Sequence, residues 1–189
     1  MFGKRLGSIG FCVLLFSGCY TMNNVRKDSL LSEQKAEGFL LMLLYINQPE
    51  GWQLGMIHRD RPRDYGPFPR PAVGFENLKP GENLLLIKLA EGKYTFKYLT
   101  RFFTYFELED HILEIKPGVI NYGGLLDIYI QGAGTIPRAE DIEYVYGDGY
   151  ERGAALLAIA YPEVFLRYEL VNTLSGEMQV YRNPQNYFR

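Results

Sequence analysis

Residues that build disulfides, metal sites and nucleophilic centres are scarce in this sequence. Its 189 residues include two cysteines, Cys12 and Cys19, and two histidines, His58 and His111. No thiol follows residue 19, so the rest of the chain has no cysteine for a disulfide, a zinc site or a thiol nucleophile. The two histidines lack the paired spacing of zinc ligands, and we expect no metal cofactor.

An excess of basic charge is also missing. Lys and Arg together number 20 against 22 Asp and Glu, which gives a formal net charge of −2. Nucleic-acid-binding domains usually present a strongly basic patch. We therefore expect no nucleic-acid partner.

The apolar run near the amino terminus is too short to cross a membrane as a helix. Leu6 to Phe16 covers 11 residues and is interrupted by glycine and serine, whereas a spanning helix takes roughly 20. Lys4 and Arg5 precede this run, and the small residues Ser17 and Gly18 follow it. This order predicts a secretory signal peptide, which is removed from the mature protein.

The end of this signal, Phe16-Ser17-Gly18-Cys19, resembles the lipobox of bacterial lipoprotein precursors, with Phe16 at a position where Leu, Val or Ile is usual. The resemblance implies cleavage before Cys19, a diacylglycerol on its thiol and an acyl chain on its new amine. Such chains would hold the protein on a membrane without a spanning helix. The family's inner-membrane retention signal is typically Asp at the next position, so Tyr20 favours the outer membrane of a bacterial envelope.

Removal of residues 1–18 leaves a chain of the length typical of a single domain. Lys and Arg fall from 20 to 18 while Asp and Glu stay at 22, for a net charge of −4. We expect residues 19–37 to be the lipid anchor and tether, and 38–131 to be an antiparallel β-sandwich core. Residues 132–189 would form an acidic connection, C-terminal helices and a tail packed on that core.

Apolar patterning predicts a mainly β, sandwich-like antiparallel fold, with α+β as the alternative class. Phe39 to Ile46 is an unbroken apolar run, typical of a strand buried on both faces. Trp52 to His58 would be its return strand in a hairpin. Further strands are expected from the alternation in the segments 84–89, 93–98, 106–109, 113–116 and 119–130.

Two turns in this block carry a second resemblance. The phrases at 89–96, which includes Glu91-Gly92-Lys93-Tyr94, and at 115–124, which includes Pro117-Gly118, are similar to turns of transthyretin-like or immunoglobulin-like sandwich domains in bacterial envelope lipoproteins. The similarity covers about residues 38–131. It implies a fold rather than an activity.

The C-terminal part is expected to be helical. After an acidic connection over 136–149, the segment 151–160 is rich in Ala and Leu, and an apolar stripe continues from Pro162 to Leu174. This amphipathic pair could cover one face of the sheet. Such cover would explain a strand at 39–46 that is buried on both sides.

A proline- and arginine-rich stretch from Arg59 to Glu82 predicts a long exposed loop, because proline lacks the amide donor that strands need. Long loops in compact domains are often functional. Its arginines and aromatics are our candidate binding residues: Arg59, Arg61, Arg63, Tyr65, Phe68 and Arg70. Internal pairing with Asp60 and Asp64 is the competing interpretation.

No catalytic motif is present: none of the serines after residue 18 lies in a Gly-x-Ser-x-Gly elbow. We expect a non-catalytic envelope component that binds the membrane through its lipid and an envelope protein through the 59–71 loop. One alternative is recognition of a glycan or another small ligand by the loop aromatics. Another is an envelope hydrolase using a carboxylate pair, and the acidic residues from Glu140 to Glu151 leave calcium binding as a minor possibility.

Overall fold

The computed structural model describes residues 30–32, 35–47, 52–59, 73–101, 104–108, 111–131, 141–174 and 179–182. These residues form β-strands with two short helices near the C-terminus. In chain order the elements are β1 (Glu37–Ile46), β2 (Trp52–His58), β3 (Val73–Leu78), β4 (Gly81–Ala90), β5 (Gly92–Arg101), β6 (Thr104–Glu107), β7 (Ile112–Ile115), β8 (Ile120–Ile130), β9 (Ile142–Gly147), α1 (Tyr150–Ala160), α2 (Pro162–Arg167), β10 (Leu170–Asn172) and β11 (Gln179–Arg182). The predicted mainly β class with C-terminal helices is confirmed.

The strands form two sheets. The six-stranded sheet has the order β11-β9-β8-β1-β4, with β10 also paired to β8. The five-stranded sheet has the order β3-β2-β5-β6, with β7 also paired to β5. In each sheet one long strand, β8 or β5, has two shorter strands sharing one of its sides.

The pairing differs from the expected hairpins. β1 pairs with β4 and β8, while β2 belongs to the other sheet, so β1 and β2 form no hairpin. The turn at Glu91 likewise joins β4 to β5 across the two sheets. Two pairings, β1 with β8 and β10 with β8, are parallel rather than antiparallel. A turn signal predicts where the chain bends, but it does not say whether the next strand pairs with the last or crosses the core.

The main core lies between the sheets. It is built from large apolar side chains of both sheets, including Met42 of β1, Trp52 of β2 and Ile128 of β8. Trp52 is fully buried, and its ring lies 6.1 Å from that of Phe106. Because the described chain has no disulfide, the folded state depends on this packing.

A second, smaller core lies on the other face of the six-stranded sheet. Phe39 and Leu41 of β1 pack there with Leu157 of α1 and Val164 of α2. Alternate residues of β1 therefore point into different cores, which is why the whole 39–46 run is apolar. The expectation that the helices cover one sheet face is confirmed.

Helix α1 lies close to the sheet at a glycine. A Cβ added to Gly153 would be 2.7 Å from Cε2 of Tyr122, a fully buried ring beneath the helix. Helix propensity alone predicts that Gly153→Ala stabilises the protein by up to about 1 kcal/mol. Because the Tyr122 ring has no room to move away, we expect the opposite sign, a loss of roughly 1–2 kcal/mol.

Urea denaturation of Gly153→Ala measures this difference. Ala155→Gly, at an exposed position on the same helix, is the control for propensity and should cost about 0.5–1 kcal/mol. A Gly153→Ala protein more stable than the parent would show that α1 does not lie against Tyr122.

The sheet continues past residue 131, where an acidic connection was expected. That expectation was wrong for Ile142–Gly147, which form β9 and pair with β8. Ile142, Tyr144 and Tyr146 point into the main core, whereas Glu143 is exposed. Glu143 therefore lies on the solvent-facing side of a strand whose residues alternate between core and solvent.

Two turns of the same composition, Lys79-Pro80-Gly81 and Lys116-Pro117-Gly118, share one hydrogen-bonding arrangement. In each, the lysine amide donates to an asparagine Oδ1 at 3.0 Å and the lysine carbonyl accepts from the Nδ2 of the same asparagine at 2.9 Å. The asparagines are Asn83 and Asn121. Both glycines have positive φ, 91° and 77°, a conformation that favours glycine.

Candidate functional site

Most of the residues selected from the sequence fall outside the described part of the chain. These are Cys19 and the loop residues Arg61, Arg63, Tyr65, Phe68 and Arg70. Arg59 is described: it is exposed, directly follows β2, and its amide donates to the carbonyl of Lys93 at 2.8 Å. The point at which the 59–71 loop leaves the fold is therefore located. The expectation that an exposed loop runs on to Glu82 was wrong for Val73–Leu78, which form β3 and pair with β2.

The tether enters the fold at the same end of the sandwich. The amide of Glu91 donates to the carbonyl of Ala36 at 2.7 Å, and the amide of Gly118 donates to the carbonyl of Glu37 at 2.9 Å. Glu91 is two positions from Lys93, the partner of Arg59. We call this end of the molecule, where β1 begins and β2 ends, the anchor end.

The last residues of the tether lie beside α2. The Leu31 amide donates to the Tyr168 hydroxyl at 2.9 Å, and Lys88 Nζ donates to the Leu30 carbonyl at 2.6 Å. The Tyr168 ring in turn packs edge-on against Phe39, with ring centroids 5.3 Å apart. A shallow groove separates this segment from the Pro117-Gly118 turn and the end of α2.

A polar and aromatic surface lies at the opposite end of the six-stranded sheet. The strand register aligns Glu82 of β4, Tyr45 of β1 and Asp127 of β8 in one row. The ring of Tyr129 lies 5.8 Å from that of Tyr45, and Arg152 of α1 forms an ion pair with Glu82. We call these five residues the distal patch.

The two carboxylates of the distal patch have different surroundings. Glu82 is paired with Arg152, a partly exposed ion pair worth at most about 1 kcal/mol. Burial raises the pKa of Asp127 above its ordinary 3.8, and the charge of Glu82 raises it further, while Arg152 acts in the opposite direction. Carboxylates in contrasting surroundings can take different protonation states.

The raised pKa of Asp127 predicts how the stability of the fold depends on pH. The folded chain holds this proton more tightly than the unfolded chain, so the contribution of Asp127 is most favourable below pH 3.8 and is lost as the pH rises through the raised pKa. Asp127→Asn cannot ionise. We expect this variant to have a higher melting temperature than the parent at pH 7, with the difference shrinking toward pH 3.

Melting curves from pH 3 to pH 7 measure the effect. Asp141→Asn is the control, because Asp141 lies outside the row formed by Glu82, Tyr45 and Asp127. An Asp127→Asn protein that melts lower than the parent at pH 7 would show that the ionised form of Asp127 is favoured in the fold.

The distal patch can offer a tyrosine pair, two carboxylates and a guanidinium to a polar ligand. Strand spacing places the backbones of Glu82 and Asp127 about 10 Å apart, with Tyr45 between them. Within the described residues, no three His, Cys, Asp or Glu side chains come close enough to hold a metal ion together. Of the acidic residues considered for calcium, Glu140 lies outside the described residues, and Glu143 is on β9. Asp148 precedes α1 and accepts a hydrogen bond from the Tyr150 amide at 2.9 Å.

Sequence patterning alone did not select the distal patch. Tyr45 belonged to an apolar run and Asp127 to the polar half of an alternating strand, 82 positions away. The local signals were present, but only the parallel register of β1 and β8 brings the two residues together.

In the part of the chain that the structure describes, neither helix has the length and apolar character needed to cross a membrane. Comparison of the chain with protein-family models, with curated proteins and with solved structures finds no match.

Proposed function

We propose that this chain is a lipid-anchored protein of a bacterial envelope, which binds another envelope protein and catalyses no reaction. The observation that carries the proposal is the sequence Phe16-Ser17-Gly18-Cys19 after a basic and apolar segment. A diacylglycerol and an N-acyl chain on Cys19 would give stable attachment, because each buried methylene contributes about 0.8 kcal/mol.

The arrangement at the anchor end supports this proposal. The tether is bound to the fold by backbone hydrogen bonds at Ala36 and Glu37 and by the contacts of Leu30 and Leu31. A domain fixed in this way stays close to the attachment point. The arginine-rich loop begins at the same end with Arg59, and arginine side chains are suited to binding carboxylates of a partner.

Mass spectrometry of the N-terminal peptide and membrane fractionation test the anchor. The mature chain should begin at an acylated Cys19 and should remain with the outer-membrane fraction. In Cys19→Ser the chain should lose its acyl chains and its membrane attachment, because serine supplies no thiol for the diacylglycerol. A parent chain that begins elsewhere, or one whose Cys19 carries no acyl chain, would contradict the proposal.

Cross-linking in cells followed by purification tests the partner. Arg61→Glu should reduce capture of the partner without changing the melting temperature, since it reverses one charge of the loop. Lys79→Glu makes the same change at an exposed position in the turn between β3 and β4 and should leave capture unchanged. Equal capture by both variants would remove the loop from the binding surface.

The distal patch favours one second candidate function, the binding of an envelope glycan. Tyr129 is partly exposed beside Tyr45 and Asp127. Tyrosine rings can stack on sugars, and adjacent carboxylates can accept hydrogen bonds from the sugar hydroxyl groups. Trp52 is buried, so calorimetric titration with soluble glycan fragments is preferable to tryptophan fluorescence. Binding that survives in Tyr129→Phe and is weakened in Tyr129→Ala would support this function, whereas a flat titration of the parent would exclude those glycans.

A further inference from the structure

Exposed apolar side chains are concentrated on the layer formed by α1, α2 and the start of the described tether. Six large hydrophobic side chains are exposed among the described residues, and four of them belong to the helices or to the residue where the tether enters. These four are Leu30, Ile159, Phe165 and Leu166. The side chains of Leu166 and Ile159 are 86% and 78% exposed, respectively, which is high for residues of their size.

These side chains do not contribute to the core of the protein. Leu157 of α1 and Val164 of α2 supply the contacts with the six-stranded sheet, so Ile159 and Leu166 lie on the outward sides of their helices. Each helix therefore has a large apolar side chain on its outward side, among exposed charged residues such as Arg152 of α1 and Glu163 of α2. The inward side is covered by the sheet, and no described residue covers the outward side.

The tether leads from this layer toward the lipid. Leu30 is bound through its carbonyl to Lys88, and Leu31 is bound to Tyr168, two positions after Leu166. Eleven steps separate Cys19 from Leu30, a reach of at most roughly 40 Å at 3.3–3.6 Å per residue. The first described residues after Cys19 therefore contact the face of the domain that carries the exposed apolar side chains.

Charged side chains of both signs accompany the apolar residues, since Glu163 and Glu169 are exposed within three positions of Leu166. Among the cations, Arg167 follows Leu166 and is exposed, and Lys35 is exposed and lines the same groove as Arg167. Arg26 and Lys27 are in the tether itself. Apolar side chains bordered by Lys and Arg are typical of surfaces that lie in the headgroup region of a bilayer.

We propose that the outward face of α1 and α2, together with Leu30, rests on the phospholipid surface to which Cys19 is attached. This proposal rests on the proposed lipid anchor and goes beyond it, because an acyl chain alone leaves the orientation of the domain free. The contact would insert Leu166 and Ile159 among the headgroups and acyl chains. It would orient the domain with the five-stranded sheet away from the lipid.

The sequence permits a direct test with a single fluorophore. Cys12 lies in the signal and Cys19 would be acylated, so a cysteine introduced elsewhere is the one free thiol of the mature chain. The full mature chain of Leu166→Cys is purified from membranes, labelled with nitrobenzoxadiazole and reconstituted in vesicles of phosphatidylethanolamine and phosphatidylglycerol. Ile112→Cys, at a 49% exposed apolar position on the five-stranded sheet, is the matched control.

We expect the probe at position 166 to shift its emission to shorter wavelength and to be quenched by spin-labelled lipids, while the probe at 112 does neither. Circular dichroism confirms that both variants are folded. Equal responses at the two positions, or none at 166, would overturn the docking. Cross-linking of two chains through position 166 would show that a second copy covers the face and would also overturn it.

Mass spectrometry of the same samples separates the two proposals. An acylated Cys19 with an unquenched probe at 166 overturns the docking and leaves the anchor standing. A Cys19 without acyl chains overturns the anchor, and the docking inferred from it falls as well. An acylated Cys19 with selective quenching at 166 supports both.

Discussion

Trp52→Ala should lower the free energy of unfolding by about 3–5 kcal/mol, the usual cost of replacing a buried aromatic side chain with alanine. Trp52 is fully buried between the two sheets beside Phe106, so its removal leaves a cavity that neighbouring strands cannot fill without moving. Domains of this kind are stable by about 5–15 kcal/mol in total. We therefore expect a variant that is only marginally folded at 37 °C.

Urea denaturation followed by far-ultraviolet circular dichroism measures this loss, because the substitution removes the only tryptophan of the chain. The control is Gln53→Ala, the next residue on β2, whose side chain is exposed. It should change the free energy by about 0.5 kcal/mol or less. A loss under about 1 kcal/mol for Trp52→Ala would mean that Trp52 is not part of the core.

Asn121→Ala should cost about 2–4 kcal/mol. Asn121 is fully buried and forms three hydrogen bonds through its side chain: from the Lys116 amide, and to the carbonyls of Lys116 and Phe39 at 2.9 Å and 3.1 Å. Alanine would leave these buried backbone groups without that partner, at roughly 1 kcal/mol or more each. The substitution would also loosen the Lys116-Pro117-Gly118 turn from β1.

The chain contains its own control for this prediction. Asn83→Ala removes the equivalent hydrogen bonds from the Lys79-Pro80-Gly81 turn, but Asn83 is only half-buried. Water can replace its bonds, so we expect a loss of about 1 kcal/mol or less. Equal losses in the two variants, measured by urea denaturation, would show that burial of Asn121 adds nothing to its hydrogen bonds.

The sequence predicted those parts of the fold that depend on local pattern. An uninterrupted apolar run at 39–46 needs cover on both faces, and the structure supplies it from Trp52 on one side and Leu157 on the other. The pairing of β1 with β8 could not be predicted, because it joins residues more than 80 positions apart. β9 was missed because acidic residues around Ile142 obscured the alternation of a strand.

The candidate sites also differ in whether a local sequence pattern could predict them. The lipid attachment at Cys19 depends on a short contiguous motif, and such motifs are visible in sequence. The distal patch depends on the register of three strands, so the local patterns around Glu82 and Asp127 do not show that the two residues share a row. The apolar outward face of the helices was present in the sequence as Ile159 and Leu166, but their exposure became visible only when the sheet occupied the opposite side of each helix.

The position of β1 between β8 and the edge strand β4 has a consequence for the order of folding. Among the described strands β1 is synthesised first, yet its neighbours are β4 and β8, and the contact of Asn121 with Phe39 spans 82 positions. Pairing between such distant segments is slow, because a long loop must close first. The chain therefore cannot complete this sheet until most of its length has been made. For a protein proposed to pass through a membrane before it folds, the late pairing of β1 would delay folding until most of the chain is present.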